Sequence, residues 1–169
     1  MSASPRSVTR VASRSTVITV AVAAVVIAVD QLTKAWAVNT LADGHDIDVI
    51  WTLRFHLTFN GGMAFSQGRG LGPIIGVVAL IVVVVLLASL RRHNHSAVAA
   101  VAVGLVVGGA AGNIVDRLFR SGDGFLSGEV VDFIDLQWWP IFNVADAAVV
   151  VGGALLLLAS LRGAGPTDS

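Results

Sequence analysis

The sequence predicts a mainly α-helical membrane protein with four transmembrane helices and a small β element outside the membrane. Hydrophobic residues make up 55% of the 169 residues, charged residues only 13%, and the mean hydropathy is +0.81. These values lie outside the range of soluble globular proteins, in which about a quarter of the residues are charged. Four long apolar runs and one stretch of alternating residues supply the elements.

The four apolar runs are each long enough to cross a bilayer, which takes about 20 residues. They cover residues 16–38, 71–90, 97–118 and 143–161. We therefore expect one membrane domain over residues 16–161, tails at 1–15 and 162–169, and connections at about 39–70 and 119–142. The first run could instead be a cleaved signal peptide. We favour a retained helix because the run is of spanning length and Asp30 and Lys34 interrupt it.

Lys and Arg predict the orientation of the spans. The N-terminal tail, the connection between the second and third runs, and the C-terminal tail hold six of the eleven basic residues. Most acidic residues lie in the other two connections. By the positive-inside rule both termini are cytoplasmic, and the two longer connections lie outside.

Residues 47–59 alternate between apolar and polar with Ile50 as the one exception, which predicts a strand. The apolar side carries Trp51 and Phe55, which suit a sheet resting on the membrane interface. Residues 120–128 are rich in Gly, Ser and Asp and predict a mobile loop that could cover a site. The third span carries Gly104, Gly108 and Gly112, a spacing that lets helices pack closely in lipid.

Composition narrows the chemistry that the chain can perform. There is no Cys, and the four His residues do not have the spacing of a metal motif or of a Ser-His-Asp set. We expect no metal and no cofactor. The net charge of zero gives no reason to expect a nucleic-acid partner. Paired carboxylates remain as a route to hydrolysis.

Carboxylates inside or beside apolar runs are costly, so they are candidates for function. Asp30 has Lys34 at i+4, and this pair favours a supporting role over catalysis. Asp116 ends the third span, with Arg117 and Arg120 close in sequence. With Asn113 one turn earlier, this group is typical of substrate positioning.

Two further carboxylates have contrasting surroundings. Asp146 follows Asn143 by three residues at the start of the fourth span, where a helix N-terminus stabilises an anion. Asp132 lies among apolar residues, where desolvation raises a carboxyl pKa. Such a contrast is typical of an acid and a base that work together. Asp132 and Asp146 are therefore the better pair, with Asp116 as the rival to Asp132.

Five motifs resemble, in this order, those of lipoprotein signal peptidase, also called signal peptidase II. They are DQLTK, FNGGMAFS, GGAAGNIVDR, VVDF and FNVAD. The resemblance covers roughly residues 16–161. It implies four membrane helices with a small extracytoplasmic β-cradle and loop, in the bacterial cytoplasmic membrane.

The resemblance also implies an activity and a set of site residues. The family contains aspartic endopeptidases that cut prolipoproteins before a diacylglyceryl-modified Cys. The catalytic pair would be Asp132 and Asp146. The supporting and substrate-binding residues would be Asn60, Asn113, Arg117, Asn143, Asp116, Asp30 and Lys34. The expected partners are lipidated prolipoproteins, membrane lipids and globomycin-like inhibitors, and we expect a monomer. The thirteen residues between Asp132 and Asp146 are a short connection for the family.

Two other functions compete with this hypothesis. The first is a proton-coupled carrier in which Asp30, Asp116 and Asp146 form a relay, although no internal repeat is evident. The second is a membrane scaffold, which rests on the Gly spacing and leaves the carboxylates unexplained.

Overall fold

The computed structural model describes residues 14–62, 71–90, 96–120, 122 and 124–163. Within them lie four helices and three strands. In chain order these are α1 (Arg14–Leu41), β1 (Ile47–Ile50), β2 (Leu53–Asn60), α2 (Gly72–Leu90), α3 (Ala97–Phe119), β3 (Val130–Asp135) and α4 (Val144–Gly163). The predicted tails, the basic connection at Arg91 and Arg92, and residues 63–66 of the FNGGMAFS motif lie outside the described residues, wholly or in large part.

Helix α3 is the centre of the bundle, and α1, α2 and α4 all pack against it. The glycines at positions 104, 108 and 112 allow α1 to come close. A Cβ atom at Gly108 would lie 2.9 Å from the backbone of Ala23, and one at Gly112 would lie 2.6 Å from the Asp30 carboxylate. The predicted packing role of this spacing is confirmed, and Asp116 lies on the same packed face, 1% exposed.

Three helices are long and apolar enough to cross a membrane: α1, α3 and residues Val144–Leu161 of α4. Helix α2 has 19 residues, and its apolar part among the described residues, Gly72–Ala88, is shorter than a full span. Large apolar side chains cover the outer surfaces of α1, α2 and α4. The first, third and fourth predicted spans are thus present by length and composition. The second predicted span, which corresponds to α2, stays a prediction.

The β element is a three-stranded antiparallel sheet in the order β1-β2-β3. The prediction of one strand over 47–59 is wrong, because the chain reverses between Ile50 and Leu53, which pair across the turn. The two-residue turn alone would exchange the faces of odd and even positions, because it pairs Ile50 with Leu53. The register shift between Asp48 and Ile50 reverses this exchange, so that Asp48 pairs with Arg54 and the alternation continues through the hairpin. Trp51 occupies the turn with a positive φ of 54°, without the Gly or Asn that normally signals such a turn.

The sheet rests on the C-terminal end of α1 through its apolar face. Ala37 and Leu41 of α1 form a buried cluster with Val131 and Phe133 of β3. Trp36 packs edge-on against Phe55 of β2, with ring centres 5.1 Å apart. This contact fixes β2 and β3 above the ends of the helices, where the polar side chains of the next section converge.

Candidate functional site

Asp132 lies in the middle of β3 and is 2% exposed. Antiparallel pairing places it opposite Thr58 and brings the end of β2 beside it. Asn60 Nδ2 donates to Asp132 Oδ2 at 3.0 Å, and Asn143 Nδ2 donates to Asp132 Oδ1 at 2.7 Å. Both carboxylate oxygens therefore accept an amide hydrogen bond.

Asp146 lies in the first turn of α4, where it and Asn143 cap the helix reciprocally. Asp146 N donates to Asn143 Oδ1 at 3.0 Å, and Asn143 N donates to Asp146 Oδ2 at 3.2 Å. This is the arrangement of a capping box, in which two side chains satisfy two otherwise unpaired N–H groups. Asn113 Nδ2 of α3 donates to the other oxygen, Asp146 Oδ1, at 2.8 Å.

Asn143 is the residue that connects the two carboxylates. It is fully buried, and its side-chain amide reaches Asp132 while its backbone N–H reaches Asp146. The same Nδ2 also lies 3.2 Å from Asn113 Oδ1. The predicted pair is thus brought together by one residue, through its side-chain amide and its backbone N–H.

Asp132 and Asp146 both line a pocket of about 430 Å³. Its other walls are mainly apolar and come from α2, α3 and α4. They include Gly76, Ala79, Val106, Ala110 and Val149. Asn60, Asn113 and Arg117 add polar groups to the same pocket. Two carboxylates therefore face an apolar cleft between helices, which suits a substrate with an apolar segment.

Burial raises the pKa of the Asp132 carboxyl from its ordinary value of 3.8 to about 6, and the nearby Asp146 carboxylate adds to the rise. The amides of Asn60 and Asn143 act in the opposite direction, because they donate to the ionised form. The direction agrees with the sequence-based expectation for Asp132. A carboxyl with this pKa can hold or release a proton near neutral pH.

A second polar cluster lies directly behind the pocket, around Lys34. The Lys34 side chain is fully buried, and Nζ lies 2.9 Å from both Asp30 Oδ2 and Asp116 Oδ2. It also donates to Asn113 Oδ1 at 2.8 Å. An ammonium group has three donors, and here each one has an acceptor. Lys34 thereby fixes which way the Asn113 amide faces, with its Nδ2 toward Asp146.

Asp30 and Asp116 belong to this second cluster. Asp30 Oδ1 accepts from Ala145 N at the start of α4, at 2.9 Å. Asp116 accepts from Arg120 Nε at 2.9 Å and from Val131 N at 3.2 Å. The predicted Asp30–Lys34 pair is confirmed. Asp116, the rival to Asp132, does not line the pocket; its contacts tie α3 to α1 and to β3.

Arg117 lines the pocket, whereas Asp116, its neighbour in sequence, belongs to the second cluster. The Arg117 side chain is buried and donates to Gly128 O at 3.4 Å. Sequence reasoning did not single out Gln31, whose Nε2 contacts Asp30, Asp116 and the carbonyl of Gly112 at 3.2–3.3 Å. Its place in the DQLTK motif, next to Asp30, is the signal that could have identified it.

Among the described residues, no group of three or more His, Asp or Glu side chains is arranged to hold a metal ion. Within the same part of the chain, every fully buried side-chain nitrogen or oxygen has a hydrogen-bond partner. The hydrogen bonds of these buried polar side chains are therefore satisfied within the protein, and the network borders the pocket at Asn113, Asp132 and Asp146.

Known proteins are similar to this chain in sequence and in fold. A family model described as signal peptidase (SPase) II matches residues 22–162. Two relatives named lipoprotein signal peptidase come from Mycolicibacterium smegmatis and Mycobacterium avium. They are 44% and 43% identical over 143 residues, which is 84% of this chain but 60% and 78% of the relatives.

Two solved structures, each described as a bacterial membrane enzyme determined by the in meso method, are also similar. They have TM-scores of 0.76 and 0.72 at 28% and 29% identity. The alignments cover 89% of this chain and 92% and 94% of those chains. The chain is thus a multi-pass membrane protein, and it belongs to the signal peptidase II family.

Proposed function

We propose that the chain is a membrane aspartic endopeptidase that removes signal peptides from bacterial prolipoproteins, cutting before a diacylglyceryl-modified Cys. One observation carries the aspartic mechanism: Asp132 and Asp146 line the same pocket and are joined by Asn143. Family membership supports a signal peptidase, and it gives the carrier hypothesis no support.

In the proposed mechanism the two carboxyl groups hold a water molecule between them. The ionised member takes a proton from the water as it attacks the scissile carbonyl. The protonated member polarises that carbonyl and then helps to protonate the leaving amine. Asn60, Asn113 and Asn143 keep the carboxylates in place by donating to them. The pair titrates as a unit, so either Asp can begin as the acid. The reaction needs no metal or cofactor.

The pocket also suggests how substrate is recognised. Its apolar walls suit the apolar segment of a signal peptide, and Arg117 and Asn113 can contact the peptide backbone. Burying acyl chains contributes about 0.8 kcal/mol per CH₂. We therefore expect the lipid of the substrate to dominate binding, and globomycin-like lipopeptides to compete for the same pocket.

We further propose that α2 completes a set of four transmembrane helices, with both termini cytoplasmic and the pocket near the extracytoplasmic face. The site lies at the C-terminal ends of α1 and α3 and the N-terminal end of α4, on the side of the sheet. Single Cys residues at positions 44 and 124 should be labelled from outside, and one at position 92 from inside. Labelling of position 124 from the cytoplasmic side would contradict this orientation.

Purified protein should cleave a diacylated lipobox peptide and leave the unlipidated peptide largely intact. Asp132→Asn and Asp146→Asn should each lower turnover by several orders of magnitude, because one member of a cooperating pair is lost. Asp48→Asn, at an exposed carboxylate of β1, is the matched control and should keep normal turnover. Near-normal cleavage by a folded Asp132→Asn protein would contradict the mechanism. Equal cleavage of the two peptides would contradict lipid recognition alone.

A further inference from the structure

Three tryptophan side chains project from the end of the sheet at which the β1–β2 turn lies. Trp51, in the β1–β2 turn, is 97% exposed, and Trp138 and Trp139, which follow β3, are 70% and 58% exposed. The rings of Trp138 and Trp139 stack edge-on with centres 6.2 Å apart. We call these three side chains the indole platform.

The two segments that carry the indole platform are fastened together although they lie far apart in sequence. Gln137 Nε2 donates to the carbonyl of Thr52 at 3.0 Å, and Gln137 N donates to Asp135 Oδ1 at 2.6 Å. Trp51 and Gln137 both have positive φ values, 54° and 66°. Such values cost a residue with a side chain about 1 kcal/mol or more unless its surroundings compensate. Two turns with energetically costly backbone angles thus carry indole side chains that are exposed.

The two segments that carry the indole platform contain no charged residue, whereas the neighbouring part of the sheet is charged. Residues 49–53 and 136–142 contain no Asp, Glu, Lys or Arg. In contrast, Arg54 bridges Asp46 and Asp135 with contacts of 2.8 and 2.7 Å, and His56 also contacts Asp46. The sheet therefore has a charged part and an uncharged aromatic end.

The sheet that carries the indole platform contacts the exposed apolar surface of α1. Leu32 and Trp36 of α1 are 70% and 40% exposed, and Trp36 contacts Phe55 on the apolar face of the sheet. Since α1 is one of the apolar helices that can cross the membrane, the sheet contacts a helix whose exposed apolar side chains suit lipid. An indole has an apolar body and one N–H donor, a combination that partitions to the headgroup level of a bilayer.

We infer that the indole platform inserts into the headgroup region of the bilayer and holds the sheet on the membrane surface. The partner is the lipid surface itself. Strand β2 runs from this anchored end of the sheet to Asn60, which donates to Asp132. Anchoring would therefore set the height of one wall of the pocket relative to the bilayer. The anchoring does not depend on the proposed peptidase activity.

Tryptophan fluorescence in phosphatidylcholine vesicles tests this inference without any assay of cleavage. Single-Trp proteins that retain Trp51 or Trp139, with the other Trp residues changed to Phe, report each part of the platform. We expect loss of emission when the lipid carries bromine near the acyl carbonyl, a weaker loss with bromine near the chain end, and shielding from aqueous iodide. A single-Trp protein that retains Trp36 is the control for a residue on a membrane helix.

Two results would overturn the inference. Iodide quenching of Trp51 and Trp139 equal to that of free tryptophan, with no effect of brominated lipid, would place the platform in water. Stronger quenching by the deep bromine than by the shallow one would place it in hydrocarbon instead. If a single-Trp protein does not insert, the Trp36→Phe protein, with all three platform residues retained, gives the same contrast as an average.

Discussion

The raised pKa of Asp132 predicts a pH dependence of stability whose sign and size follow from the structure. In the unfolded chain the carboxyl ionises around 3.8, whereas in the folded protein it ionises around 6. Below the lower value the group is protonated in both states. Between the two values only the unfolded chain loses its proton, so the folded state becomes relatively less stable as pH rises. Above the upper value the full loss is present.

This loss amounts to about 3 kcal/mol, since each pKa unit corresponds to about 1.4 kcal/mol. Unfolding in detergent at about pH 4 and about pH 7.5 measures it. Asp132→Asn should reduce the dependence, because the amide does not ionise. Asp48→Asn, the exposed control, should retain the wild-type difference. The reasoning would be refuted by an Asp132→Asn protein that loses as much stability as the wild type over this pH interval.

Three further predictions concern the pocket and its supports. If Asp132 must carry the proton, kcat/KM for a lipidated peptide should fall as pH rises through about 6, and a flat profile would argue against that role. Lys34→Met should destabilise the protein by about 3–5 kcal/mol in detergent unfolding, because it leaves buried carboxylates without their cation, and adding Asp116→Asn should restore part of the loss. Gly108→Ala should lower the melting temperature because its Cβ would meet the backbone of α1, whereas Gly153→Ala, with open space around it, should not; equal effects would contradict the packing argument.

Much of the helical framework could be predicted because membrane spans are long and their signal is strong. The predicted span 16–38 lies within α1, and the predicted span 97–118 nearly coincides with α3. The hairpin could not be predicted from alternation, because the register shift between Asp48 and Ile50 offsets the exchange of faces at the turn. Trp51 and Thr52 also carry no usual turn signal. Its formation depends on pairing with β3 and on burial against α1, which are tertiary effects.

The candidate site shows the same division between local and distant contacts. The Asn143–Asp146 cap lies within one helical turn, and the i+4 spacing of Asp30 and Lys34 predicted their ion pair. The contact from Asn60 to Asp132 spans 72 positions and follows from strand pairing. Likewise, the contact of Lys34 with Asp116 requires α1 and α3 to pack at the glycine positions. The residue types in the sequence indicated which polar side chains are candidates for the site. Their hydrogen-bond and ion-pair partners across the chain depend on the tertiary fold.

The contacts of α1 bear on the resemblance between this helix and a secretory signal. Its apolar residues are of the kind that signal peptidases release from other proteins. Yet Asp30 accepts a hydrogen bond from Ala145, 115 positions later in the chain, and Lys34 lies between Asp30 and Asp116. Removal of α1 would take away the cation of Asp116 and the acceptor at the start of α4. In the folded chain, a segment of the class that we propose the protein cuts from its substrates thus forms part of the scaffold. A carboxylate and an ammonium within one helical turn tie that segment to α3 and α4.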